Sequence, residues 1–251
     1  MIPLYRKIRK KMADDNKPIK YMRYALGEIA LVVIGILIAL QINNWNENRK
    51  ANLQEAKILK QLKSDLIDNL SEIKEIDFQV SQRHRYSDSV SLYFNERRKL
   101  DDSLLMYLRG LRNYGIFNSA NTAYSYIQSE GMNILSNDSL RADITIMYER
   151  DFRNIDLRSI GEQELINNVL EPFMRRNFKP LKDHVLNSGV HVKALMQPIH
   201  VEALYENFEF QNILLEHNSY LEIRKEWLIR TLENLDKLIQ ELQVEIDRIE
   251  R

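Results

Sequence analysis

Twelve consecutive apolar residues, Ile29 to Leu40 (IALVVIGILIAL), constrain this chain more than any other feature. With Tyr24-Ala25-Leu26-Gly27 before them and Ile42 and Trp45 after them, they form a 22-residue segment, 24–45, whose polar positions are Glu28, Gln41, Asn43 and Asn44. At the helical rise such a segment is about 33 Å long, enough to cross a hydrocarbon core of roughly 30 Å. Twelve residues alone would suit a buried core helix equally well, so the flanks decide. Tyr21 and Tyr24 on one side and Trp45 on the other match the aromatic belts of membrane interfaces. A cleaved signal peptide fits poorly: its n-region would be long, and Leu37-Ile38-Ala39 places a bulky residue where a small one is needed. The segment therefore reads as a single transmembrane helix.

Net charge is zero, yet residues 1–23 carry eight basic residues against Asp14 and Asp15, a net +6, leaving −6 for the remainder. Arg49, Lys50 and Lys57 are the few basic residues just after the span, so the positive-inside rule keeps the N-terminus in the cytoplasm. The expected organisation is a basic cytoplasmic tail over 1–23, the span over 24–45, and an extracytoplasmic helical domain over 46–251, periplasmic beyond an inner membrane. Within the tail, Pro3 to Met12 suits either an in-plane amphipathic helix on anionic lipid or a disordered topology signal.

The stretch KYMRYALGEIALVVIGILIALQINNWNENRK, Lys20 to Lys50, resembles the signature of a family of uncharacterised single-pass membrane proteins common in Bacteroidota-type bacteria. A weaker likeness continues at TAYSYIQSEG, Thr122 to Gly131, and NDSLR, Asn137 to Arg141. The resemblance implies the same single-pass topology; that family has no assigned activity, so it implies no mechanism.

Two features of the span suggest more than anchoring. Gly27, Leu31, Gly35 and Ala39 follow one another at i, i+4 spacing, and Gly27, Gly35 and Ala39 form a candidate helix–helix interface of small residues. Glu28, about one turn inside the boundary, is a candidate intramembrane polar site, although at that depth it also reaches headgroup water or a neighbouring cation.

Downstream, no Gly or Pro interrupts residues 46–109, and Leu59, Leu62, Leu66, Leu70, Ile73 and Ile76 recur at helical spacing. Polar residues including Asp65 and Glu72 fill the remaining positions as a solvated face. Asp101-Asp102-Ser103 caps a short helix, Leu104 to Leu111, and Ser136-Asn137-Asp138 begins another that runs to about Asn177 with Gly161 and Pro172 as weak points. Lys179-Pro180 opens a short helix, Val190–Val201 is irregular, and the helix resuming near Glu202 breaks around His217-Asn218-Ser219. Leu228, Leu232, Leu235, Ile239, Leu242, Ile246 and Ile249 then make a heptad seam. The fold class is all-α: the membrane helix continues into a helical bundle whose 53–80 and 221–250 helices pair as an antiparallel coiled-coil stalk. The same seam also suits an intermolecular coiled coil.

Catalytic signatures are missing. There is no cysteine, and the five histidines are scattered, with His184, His191 and His200 seven and nine residues apart. No P-loop, G-x-G-x-x-G or G-x-S-x-G occurs. Tyr114, Phe117, Tyr124 and Tyr126 suit core packing better than a ligand groove. Basic-aromatic nucleic-acid patterns are absent. The expectation is a non-enzymatic membrane scaffold or adaptor without metal, cofactor or identified small-molecule substrate, whose partners are the lipid bilayer and a second copy or another envelope protein. The alternative is an ion-coupled subunit of an energy-transducing or transport complex that uses Glu28.

Overall fold

The computed structural model describes residues 18–181, 184–186, 189, 191–192 and 195–251. The basic tail over Pro3 to Met12 lies outside them. The first helix, α1, runs unbroken from Pro18 to Asn95. Two compact units divide at Glu55 and Ala56.

In the first unit α1 is long and apolar enough to cross a membrane, and none of its apolar window is buried. Leu31 is 73% exposed and Val33 47%. Apolar side chains therefore face outward on every side of the helix, unlike the one-sided stripe of a helix resting on a core.

In the second unit the chain adds α2 (Asp102–Gly110), α3 (Thr122–Glu130) and a long helical stretch in three parts. These parts are α4 (Asp138–Ile146), α5 (Arg153–Leu165) and α6 (Glu171–Asn177), joined by π turns over Met147–Phe152 and Ile166–Leu170. Asp101 accepts from the Leu104 amide at 2.9 Å and Asn137 from the Leu140 amide at 3.1 Å, so both expected starts carry N-caps.

The π turns follow from spacing. Inward residues of this stretch include Leu140, Ile144, Tyr148 and Phe152, then Glu162, Ile166, Leu170 and Met174, each run four residues apart. An α-helix of 3.6 residues per turn would rotate such a series off its face, and a wider turn restores the phase. Pro172, which has no N–H to give the preceding turn, lies two residues past the second π turn. Neither weak point breaks the stretch. At Gly161 a side chain would lie 2.9 Å from Cε1 of Tyr220, whose ring covers the backbone there.

The described residues between 178 and 198 are not helical, and the short helix expected from Lys179 is a strand. β1 (Phe178–Leu181) pairs antiparallel with β4 (Leu195–Pro198), Phe178 opposite Pro198. β2 (His184–Val185) pairs with β3 (His191–Val192). Pro180 removes a donor that a helix interior would need but that a two-stranded edge tolerates. Phe178, Val192 and Leu195 are buried, the last two beside Leu105.

After α7 (Val201–Tyr205), α8 runs from Phe208 to Ile249 without the break expected at His217-Asn218-Ser219. All three residues are accommodated within the helix. Asn218 donates to Asp88 at 2.9 Å, the Ser219 hydroxyl donates to the Leu215 carbonyl at 3.0 Å, and His217 packs inside. Lys60 with Glu250, Lys63 with Gln243 and Asn218 with Asp88 pair rising with falling numbers, so α8 lies antiparallel to the body portion of α1.

Leu228, Leu235, Leu242 and Ile246 are buried, while Leu232, Ile239 and Ile249 pack half-buried against the same core. Thr231, Leu238 and Glu245 are buried as well. The inward face is thus wider than a two-position seam, because Ile144, Met147 and Ile155 from α4, the π turn and α5 share that core with α1.

Candidate functional site: a buried polar layer

Inward positions of α1 continue at 3–4 spacing through Ile73, Ile76 and Val80, then Arg83 and Ser87, then Val90 and Phe94. On α8 the order is Leu214, His217, Leu221, Arg224, Leu228, and on α5 it is Ile155, Ser159, Glu162, followed by Ile166 in the next turn. Each of the three helices therefore puts polar residues on its buried stripe at one level. The larger apolar cluster, with Leu59 to Val80 and Leu221 to Ile246, lies on one side of this level. The smaller one, with Val90, Phe173, Phe210 and Leu214, lies on the other.

Glu162 is the hub. Arg83 Nη1 donates to Glu162 Oε1 and also to the Asn113 carbonyl at 2.7 Å. Arg224 Nη1 donates to Glu162 Oε2 at 2.5 Å, and its Nη2 to the Gly115 carbonyl at 2.5 Å. Side-chain exposure is 4% for Arg83 and 0% for the other two. One carboxylate thus joins three helices, while the guanidiniums also hold the loop between α2 and α3.

Burial lowers the Arg83 pKa to about 10, with Glu162 opposing the shift and Arg224 adding to it. Arg83 remains a cation at neutral pH. His217, 1% exposed, is pushed down to about 4 by burial and, secondarily, by the charges of Arg83 and His84. Its imidazole is neutral at pH 7. Arg83 Nη2, Arg224 Nε, Ser87 Oγ and both ring nitrogens of His217 are buried with no hydrogen-bond partner among the described residues. Unpaired polar atoms inside a core cost free energy, so a layer that keeps several of them sits above the energetic minimum of its own packing.

A second polar series on α1 secures the α2–α3 loop from the other side of the layer. Asp65 Oδ2 accepts from the Ala123 amide at 2.8 Å and so caps α3 from another helix. Asn69 exchanges two bonds with the Ala120 backbone, and Glu72 accepts from the Asn118 amide at 2.9 Å. The sequence reading placed Asp65 on a solvated face; it is 5% exposed. Spacing gave a warning, since 65, 69 and 72 form a helical stripe of their own, but the stripe's target is remote in sequence.

Of the residues singled out from sequence, Gly27, Gly35 and Ala39 lie exposed on α1, and a side chain at either glycine would meet nothing within 4 Å. Glu28 is partly buried and engaged by a neighbour. None of these four joins the polar layer. Phe117 and Tyr124 are core residues, with Phe117 packed edge-on to Phe152 and Tyr124 stacked on Tyr148 at 4.2 Å. Tyr126 is exposed, and Tyr114 accepts from Gln163 at 2.9 Å. Among the described residues no group of three His, Asp or Glu is placed to hold a metal. The layer itself was missed, although Val80-x-x-Arg83-x-x-x-Ser87-x-x-Val90 shows charge on an apolar stripe.

Glu162→Gln leaves two buried guanidiniums without a counter-charge and is expected to cost about 3–5 kcal/mol. Replacing Arg83, Glu162 and Arg224 together by Met should restore most of that loss. Urea unfolding of the full chain in detergent, followed by circular dichroism, measures both; equal losses in the single and triple variants would show that the charges are not coupled.

His217 also sets an acid limit. Its pKa is about 4 folded against an ordinary 6.5, so the unfolded chain binds the extra proton between those values. Its stabilising effect is complete above about pH 6.5 and is lost as pH falls toward 4, by up to about 3 kcal/mol. In His217→Gln the stability difference between pH 7 and pH 4 should shrink by that amount; an unchanged difference would remove His217 as the cause.

No curated protein matches the chain. No solved structure matches it either. Residues 28–175 match a family described as a family of unknown function (DUF6090), a match that takes in the apolar helix, Arg83 and Glu162 and stops short of α8 with His217 and Arg224. Because the matched region covers more than half of the 251 residues, the chain belongs to this family of unknown function, DUF6090.

Proposed function

We propose that the protein is a non-enzymatic adaptor or scaffold of the cell envelope, anchored in the inner membrane by residues 24–45. Its N-terminus is cytoplasmic and its bundle periplasmic, with the 53–80 and 221–250 helices paired as an antiparallel coiled-coil stalk. The observation that carries the reading is the sleeve of apolar side chains from Leu26 to Trp45, exposed on all faces of a helix that continues into the folded body. In water that sleeve would drive aggregation; in a bilayer it is the stable state. The excess of basic residues before it favours the stated orientation.

On the body, Phe208 and Leu215 are 76% and 69% exposed and lie seven residues apart on one face of α8. Such side chains supply contact area for a protein partner. The small-residue face at Gly27, Gly35 and Ala39 suits association within the membrane, with a second copy or another envelope protein.

The chain has no cysteine, so single cysteines report topology cleanly. Lys50→Cys should react with a membrane-impermeant maleimide in intact spheroplasts, and Lys17→Cys only after permeabilisation; the reverse pattern would overturn the orientation. A photo-cross-linking residue at 215 should give a discrete protein adduct in native membranes, whereas recovery of monomer alone would count against the adaptor role.

A further inference from the structure

We propose that the groove between α5 and α8 docks an acidic amphipathic helix of a partner protein. Tyr220 lies against Gly161, and Arg158 lies over the ring of Trp227, so the two helices run antiparallel and these contacts form the floor of the groove. Its apolar lining is open to solvent: Leu157, Ile160 and Ile223 are 54%, 48% and 43% exposed. Leu157 and Ile160 stand one turn apart on α5, and Ile223 and Trp227 one turn apart on α8. A helix laid between these two rows buries both, which is the geometry of helix-in-groove recognition. The inference rests on the adaptor reading and deepens it, using the α5 side of α8 rather than the face of Phe208 and Leu215.

Charge selects the occupant. The guanidiniums of Arg158 and Arg230 lie 5.8 and 5.4 Å from the centre of the Trp227 ring. Beyond the indole, neither has a hydrogen-bond or ion-pair partner among the described residues. Glu162, one turn from Arg158, is taken by Arg83 and Arg224 inside the polar layer. Arg230 has Glu226 and Glu233 one turn to either side, pairs with neither and lies over the indole instead. Cation–π attraction thus keeps both guanidiniums at the groove while their N–H groups stay available to carboxylates. A tryptophan flanked by two arginines is also the composition that carries most of the energy in protein interfaces. At the other end of the groove the exposed Glu164 and Glu216 repel acids, so the partner's carboxylates belong at the Trp227 end.

The test places a photo-cross-linking residue at 223 in the full chain in native membranes. The expected product is a protein adduct whose cross-linked peptide, identified by mass spectrometry, carries more Asp and Glu than Lys and Arg. The Arg158→Glu/Arg230→Glu double variant should lose this adduct by at least about tenfold while the adduct at 215 persists. A basic or neutral cross-linked peptide, a lipid adduct, an adduct between two copies of this chain, or a yield indifferent to the charge reversal overturns the proposal. An adduct at 215 with none at 223 also overturns it and spares the adaptor reading; none at either position removes both. Should the double variant fail to fold or lose both adducts, purified full chain carrying Trp45→Phe decides the matter, because Trp227 is then its sole tryptophan. Trp227 emission should shift to the blue on adding a synthetic leucine–glutamate amphipathic helix and not its leucine–lysine counterpart. Equal shifts with both peptides, a shift with the lysine peptide alone, or no shift overturns the proposal.

Discussion

The bidentate engagement of Glu162 by Arg83 and Arg224 is the contact on which the arrangement of the body depends. Leucine and isoleucine stripes attract one another at many relative heights, because hydrophobic burial is non-directional and neighbouring turns look alike. A buried carboxylate does not share that tolerance. If α1, α5 or α8 slipped by one turn, at least one guanidinium would be buried without its partner, at a cost of several kcal/mol. The triad contributes little net stability by itself and instead penalises the alternatives. That is the role best attested for polar residues inside helical assemblies.

The same requirement accounts for the irregular middle helix. Ser159 and Glu162 must point inward between two apolar runs spaced by fours, and a regular α-helix cannot hold both runs and the polar pair on one face. The π turns at Met147–Phe152 and Ile166–Leu170 absorb the mismatch on either side of the layer. The loop of residues 112–121, which has no regular structure, is held by side chains from outside it. Arg83 and Arg224 take its carbonyls, and Asn69 and Glu72 accept its amides. A surface segment thereby gains directional bonds in place of a hydrophobic core of its own.

Much of the helical architecture was legible because helical periodicity is a local property. The N-caps at Asp101 and Asn137, the long first helix and the seam from Leu228 to Ile249 all follow from spacing within a few turns. Errors arose where local cues competed with distant partners. His217-Asn218-Ser219 resembles a helix break until Asp88 is placed opposite Asn218. Lys179-Pro180 resembles a helix start until Leu195–Pro198 is available to pair with it. Asp65 reads as solvated until the Ala123 amide, 58 residues away, reaches it.

By itself the sequence determined that residues 24–45 form an apolar helix long enough to span a membrane and that helices follow it, since length, hydropathy and periodicity are properties of contiguous residues. Only the tertiary structure decided that Arg83, Glu162, Arg224 and His217 meet in one layer between two apolar cores. They come from three helices as much as 141 residues apart in the chain, and no local rule relates them. Their meaning lies in electrostatics and burial, which exist only once the helices have packed.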